Sequence, residues 1–198
     1  MNFATDLLLW AIFYQWIRFH IDQSEDLRHN YLHFLHCFVG MWMDLNKPDD
    51  FIRVFISFYG YDLLHLVWRL QTESKHRVYI LHHMASLVGT YLICQNRELI
   101  PTYVWYCQQL ANSNFWLCLN YHCRKMNWKQ AAKIVEIFQA IFYGYYRIVL
   151  PTQVLLFQEN EALWKLDWIS LGCFGMIYGL SWIWTYQLGK KVWKQIRG

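Results

Sequence analysis

Charge is what this 198-residue chain has least of. Only 16% of its residues are charged, against roughly 25% in an ordinary soluble domain, which argues against a typical soluble enzyme. Proline is scarce, at three residues. No Pro-, Gly- or Ser-rich stretch and no low-complexity tract divides the chain, so it reads as one domain without an interdomain linker. The six cysteines (Cys37, Cys94, Cys107, Cys118, Cys123 and Cys173) include no Cys-x-x-Cys pair and mostly lie in apolar stretches. Neither a disulfide framework nor a zinc site is expected, and no metal is assigned. The net charge of +4 is too small to argue for nucleic acid. Residues 3–19 lack the basic start and small-residue cleavage site of a signal peptide, which favours a span or an interfacial helix there over a removed leader.

What the chain has is apolar and aromatic bulk: 56% hydrophobic and 20% aromatic residues, with 12 Trp, 14 Tyr and 13 Phe. That composition excludes disorder, and in water it would leave a fold of this size with extensive sticky surface. The mean hydropathy of +0.08 is low for a membrane protein, but such scales count Trp and Tyr as slightly polar although both favour bilayer interfaces. Apolar runs of about 17 to 25 residues, the length of a membrane-crossing helix, occur at 3–19, 29–45, 51–70, 77–95, 100–121, 133–157 and 164–188. The first is the weakest, being short and holding Asp6. Short polar loops punctuate the runs, among them Asn46-Lys47-Pro48-Asp49-Asp50, Gln95-Asn96-Arg97-Glu98 and Gln158-Glu159-Asn160-Glu161. The pattern predicts an all-α, polytopic transmembrane helix bundle. Residues 1–28 hold an N-terminal transmembrane or interfacial helix, and residues 29–198 hold six core helices and a basic tail.

Basic residues orient that bundle. Arg18, Arg28, Arg69, Lys75, Arg77, Arg124, Lys125, Lys129, Lys133, Lys190, Lys191, Lys194 and Arg197 fall on one side, and Lys47, Arg53, Arg97 and Lys165 on the other. Positive charge concentrates on the cytosolic side, so the C-terminus is expected in the cytosol.

Ionisable groups within membrane spans are costly and mark candidate functional sites. The second run carries His29, His33 and His36, which share a helix face; the third carries Asp62 and His65, and the fourth Tyr79, His82 and His83. At 1.5 Å per residue, His82 and His83 lie about 8 to 9 Å, and Asp62 about 12 Å, from the cytosolic ends of their helices. His33 and His36 fall about 6 to 11 Å deep on the same arithmetic. Three helices thus place polar groups in one layer. Adjacent residues on a helix point about 100 degrees apart, so one of His82 and His83 is expected to face a cavity and the other a neighbouring helix. His65 and His122 are read as structural. The fifth run adds Gln108, Gln109, Asn112 and Asn114, and the sixth adds Tyr143, Tyr146 and Arg147 near Pro151, an expected kink. For Arg147 three accounts stand side by side: cavity lining, a buried partner such as Asp62, and snorkelling.

The segments Gly60-Tyr61-Asp62-Leu63-Leu64, Arg77-Val78-Tyr79-Ile80-Leu81-His82-His83 and Tyr146-Arg147-Ile148-Val149-Leu150, with Tyr186 and the Lys190 to Lys194 region, resemble the TLC-domain family. That family includes ceramide synthases and smaller lipid-related membrane proteins. The resemblance covers roughly residues 29–195 and implies six helices around a lipid-sized chamber, in the endoplasmic reticulum or related membranes. It also implies acyl transfer from a fatty acyl-CoA co-substrate to a lipid amine or hydroxyl, with His82, His83 and Asp62 catalytic. His33, His36, Tyr79, Gln109, Asn112 and Arg147 would line the lipid site, and no bound cofactor is required. Membrane lipids and acyl-CoA are the implied partners, and oligomeric state stays open. In the next helix ceramide synthases carry a His-Asp and a second Asp; here stand Gln108, Gln109, Ala111, Asn112 and Ser113. Amides orient a substrate but cannot act as a general base. This departure moves the chain toward the smaller members and keeps a second reading alive, a non-catalytic regulator of lipid composition or homeostasis. A di-iron hydroxylase or desaturase is disfavoured, since Tyr79 stands where a His-x-x-His-His box needs a ligand.

Overall fold

The computed structural model describes residues 3–21, 23–70, 77–157 and 167–197, and among them the chain is helical without a strand. In chain order these are α1 (Phe3–His20), α2 (Glu25–Trp42), α3 (Pro48–Leu70), α4 (Arg77–Cys94), a short 3-10 turn (Arg97–Leu99), α5 (Ile100–Lys125), α6 (Lys129–Gly144), a π-helical turn (Tyr145–Val149), α7 (Leu150–Phe157) and α8 (Trp168–Arg197). Each expected apolar run overlaps a helix, the sixth being α6, the π turn and α7 in succession, while α2 starts four residues before its run and α8 extends nine residues beyond its own. Lys75, Lys165, residues 164–166 and the Gln158 to Glu161 loop lie outside the described residues.

The helix ends follow local chemistry. Pro48 opens α3 and Pro101 is the second residue of α5, where the missing N–H leaves no helical bond unmade. Asp167 caps α8 by accepting from the Ile169 and Ser170 backbone N–H groups at 2.9 and 2.8 Å. Asn127, at φ 58°, turns the chain between α5 and α6 in the left-handed conformation that Asn tolerates. The Trp128 N–H reaches back to the Cys123 carbonyl at 2.9 Å, closing α5 in a Schellman arrangement. Near Pro151 the irregularity takes the form of the π turn. The Leu150 N–H bonds to the Tyr145 carbonyl, one residue further back than in an α-helix, just before a proline that cannot continue the ordinary ladder.

The chain forms two compact units, Met1–Gln15 with Met43–Trp105 and Glu161–Ile177, and Trp16–Trp42 with Tyr106–Asn160 and Tyr178–Gly198. In the first, α3 packs along α4, and α1 packs on α3 through Trp10. The Trp10 indole N–H donates to Ser57 Oγ at 3.1 Å, and its ring meets Phe58 edge-on at 5.1 Å. Asp6, an unexpected acid in so apolar a helix, is buried in a salt bridge to Arg53 Nε at 2.5 Å. Arg53 also pairs with Asp50 at 3.1 Å.

In the second unit α2 lies against α5. Asn30 donates to the Cys118 carbonyl at 3.0 Å, Gln108 to the Met41 carbonyl at 3.2 Å, and Phe34 packs on Phe115. α5 meets α6 through Trp116, stacked on Phe138 and Phe142 at centroid distances of 5.2 and 5.1 Å. The same helices are tied by Glu136 of α6, which is fully buried. Its carboxylate takes Arg124 at 2.5 Å, Lys191 at 2.6 Å and the Gln195 amide, joining α5, α6 and α8 at one point. Two cations on one carboxylate offset the desolvation that a lone buried acid would suffer.

None of the described helices is long and apolar enough to cross a membrane. Length is not what fails, since α3, α5 and α8 have 23, 26 and 30 residues. The helices mix their aliphatic residues with Trp, Tyr, His and amides, as in α5 with Gln108, Gln109, Asn112, Asn114 and Asn120, and the average hydropathy falls accordingly.

Of the glycines in the second unit, Gly40 is the most closely packed: an added Cβ would lie 3.1 Å from Ala111 Cβ. Gly40→Val is expected to cost about 1 to 3 kcal/mol by overpacking α2 against α5, read as a lower thermal midpoint of the purified chain. Adding Ala111→Gly should recover part of the loss; a Gly40→Val chain as stable as the native one would refute the close packing.

Candidate functional site

Asp62 sits on α3 and His83 on α4, both buried, with His83 Nε2 2.9 Å from Asp62 Oδ2. The Tyr59 ring, one turn before Asp62 on α3, lies 4.9 Å from the imidazole. This is the arrangement of a carboxylate orienting a histidine. The carboxylate oxygen accepts from His83 Nε2 and so orients the ring. His83 Nδ1 is buried without a hydrogen-bond partner among the described residues.

His82 is half-buried, its ring 5.5 Å from that of His83. Of the adjacent histidines, His83 faces the neighbouring α3, while His82 takes the more open direction. Tyr79, a turn earlier, is exposed. His65 is buried beside Tyr14 at 5.3 Å and Trp68 at 6.1 Å, the aromatic packing of a structural histidine. In the second unit His122 lies between Tyr31 and Trp128, each at 5.4 Å, in the same manner.

The remaining candidates belong to the second unit. On α2, His36 is buried and His33 half-buried, with the His29 and His33 rings edge-to-face at 4.6 Å. On α5, Asn112 donates to Gln109 at 3.4 Å, so these two amides engage each other. Arg147, on the π turn, is buried and donates from Nε to Ser113 Oγ at 2.9 Å and from Nη2 to Asn114 Oδ1 at 2.6 Å. Of the three accounts open for Arg147, snorkelling does not apply, since its side chain is enclosed.

Sequence reasoning passed over Glu136, Ser113 and Tyr59. An acid within the apolar run 133–157 was the available signal for Glu136. Ser113 and Tyr59 carried none, being ordinary helix residues until their neighbours are known. No family model matches the chain, and no curated protein or solved structure is significantly similar to it.

Asp62→Ala would leave a buried imidazole without its carboxylate and is expected to cost about 1 to 3 kcal/mol, with Asp62→Asn costing less because the amide keeps shape and an acceptor. Thermal unfolding of the two variants beside the native chain checks the order; equal stability of all three would mean that the pair does not hold α3 to α4.

Proposed function

We propose that this chain is a multi-pass membrane protein of TLC type that handles lipids, and that His83 supports acyl transfer from a fatty acyl-CoA to a lipid amine or hydroxyl. The observation that carries the reading is the buried pair of His83 and Asp62. In the proposed step, His83 Nδ1 accepts the proton of the acceptor N–H or O–H as its nitrogen or oxygen attacks the thioester carbonyl. The new C–N or C–O bond forms, the C–S bond breaks, and the CoA thiolate takes the proton back from the imidazole. Positioned acid–base groups of this kind contribute typically about 100- to 10,000-fold. Asp62 acts through His83 by holding its orientation, and His82 lies beside it on the more open side.

The distribution of polarity supports the membrane half of the reading. Asp62, Ser113 and Glu136 are fully buried, while Trp168, Phe19, Trp42 and Tyr186 are 88%, 85%, 76% and 70% exposed. Large apolar side chains outside and charges inside suit a lipid surround, where charged side chains face the bundle interior and Trp and Tyr settle at the interfaces. On this reading the low hydropathy of the helices reflects interfacial aromatics and interior polar groups together. On this reading the basic clusters favour a cytosolic C-terminus, the side that acyl-CoA would reach, and the endoplasmic reticulum is the proposed location. A second reading, a non-catalytic lipid-binding regulator, is favoured by Arg147, a buried cation held by neutral partners.

Cells expressing the native chain should accumulate one acylated lipid class, and His83→Ala should lower that rise by about 100-fold or more, with His82→Ala having the smaller effect. Comparative lipidomics at matched expression reads this. Equal lipid shifts from the native chain and the His82→Ala, His83→Ala double variant would remove the catalytic reading. Alkaline extraction should leave the chain in the membrane pellet; release into the supernatant would remove the membrane reading.

A further inference from the structure

Arg147 is only 3% exposed, and a guanidinium withdrawn from solvent needs compensation by an anion or by full hydrogen bonding. Its neighbours among the described residues supply neither completely. Ser113 Oγ accepts from Nε while giving its own proton to the Leu110 carbonyl at 2.7 Å, and Asn114 Oδ1 accepts from Nη2. The Tyr143 ring lies 4.6 Å from the guanidinium carbon. All three partners are neutral. Nη1 is buried with no hydrogen-bond partner, and no carboxylate pairs with Arg147, among the described residues.

The backbone adds a second observation. Arg147 is the central residue of the π turn that precedes Pro151, an element found frequently at functional sites as well as beside helix-breaking residues. Contrast Glu136, the buried acid of α6, which is met by Arg124, Lys191 and Gln195. The fold neutralises that charge internally, whereas among the described residues Arg147 meets only neutral partners.

We propose that Arg147, with Ser113 and Asn114 setting its orientation, is a binding site for an oxyanion, the carboxylate or phosphate group of a lipid-sized ligand. The planar guanidinium presents paired N–H donors that match carboxylate and phosphate oxygens. Ser113 and Asn114 hold Nε and Nη2, and Nη1 is left to donate to the anion. This deepens the lipid-binding part of the proposed function and rests on it for the lipid character of the ligand; the site's readout is binding, so it is separable from acyl transfer.

The test uses the purified full-length chain with four probes: oleate, an oleoyl lysophosphatidate, oleyl alcohol and inorganic phosphate. The native chain should bind oleate or the lysophosphatidate at least about tenfold tighter than the uncharged alcohol. The tighter of the two names the oxyanion, and competition by inorganic phosphate would show that a free anion also fits. Arg147→Gln should abolish the preference. Since that variant removes a buried donor set, Asn114→Asp is the companion. It places a carboxylate beside the guanidinium, should preserve or raise thermal stability, and should likewise erase the preference by occupying the cation from within. Equal binding of anionic and neutral probes by the native chain, or a preference that survives Asn114→Asp, would overturn the site. Absence of acyl transfer by the native chain with oxyanion binding present would instead count against the His83 reading alone.

Discussion

A charge taken out of water has to be met by a partner within the helices, and that requirement organises this protein. Asp6, Asp62 and Glu136 are three buried acids on three helices, and each is answered by nitrogen from another helix. Arg53 of α3 meets Asp6 of α1, His83 of α4 meets Asp62 of α3, and Arg124 of α5 with Lys191 of α8 meets Glu136 of α6. Breaking such a pair leaves an uncompensated charge, which costs more than the intact pair contributes relative to an apolar one. The pairs therefore act mainly on which helix faces which, with aromatic packing such as Trp116 on Phe138 and Phe142 filling the space between them.

Two of the charge sites differ in kind. Glu136 is saturated, with two cations and an amide on its two oxygens, and this suits a purely structural tie. His83 keeps Nδ1 without a partner, and Arg147 keeps Nη1 without one, among the described residues. Unmet hydrogen-bonding capacity in a buried group is destabilising by itself. Such capacity occurs at several buried groups, His122 and Thr185 among them; at His83 and Arg147 it coincides with the residues proposed to meet substrate.

Much of the helical layout was legible. Apolar runs bounded by Asn, Asp, Pro and charged residues mark where helices start and stop, because those residues cap or interrupt the backbone ladder. That Asp62 and the His82-His83 pair share one layer was also legible, since depth along a helix follows from rise per residue, though which groups pair was not. What hid was the partner of each lone charge. Asp6 reads as a flaw in an apolar helix until Arg53 is beside it, and Arg147 reads as a candidate partner for Asp62 until Ser113 and Asn114 are found on its guanidinium. Membrane character was argued from length and aromatic content, whereas hydropathy averaged along the helices falls short, because polar interior positions and apolar outward ones are averaged together.

The sequence by itself determined the all-helical character, the approximate helix limits and the residue types available for chemistry, because these depend on neighbours within a turn or two of the same chain. Only the tertiary structure decided that His83 rather than His82 meets Asp62, that Glu136 collects cations from α5 and α8, and that Arg147 is enclosed by neutral partners. Those outcomes depend on the rotation of each helix about its axis and on which side chains fill the facing groove, quantities set by packing across residues far apart in the chain.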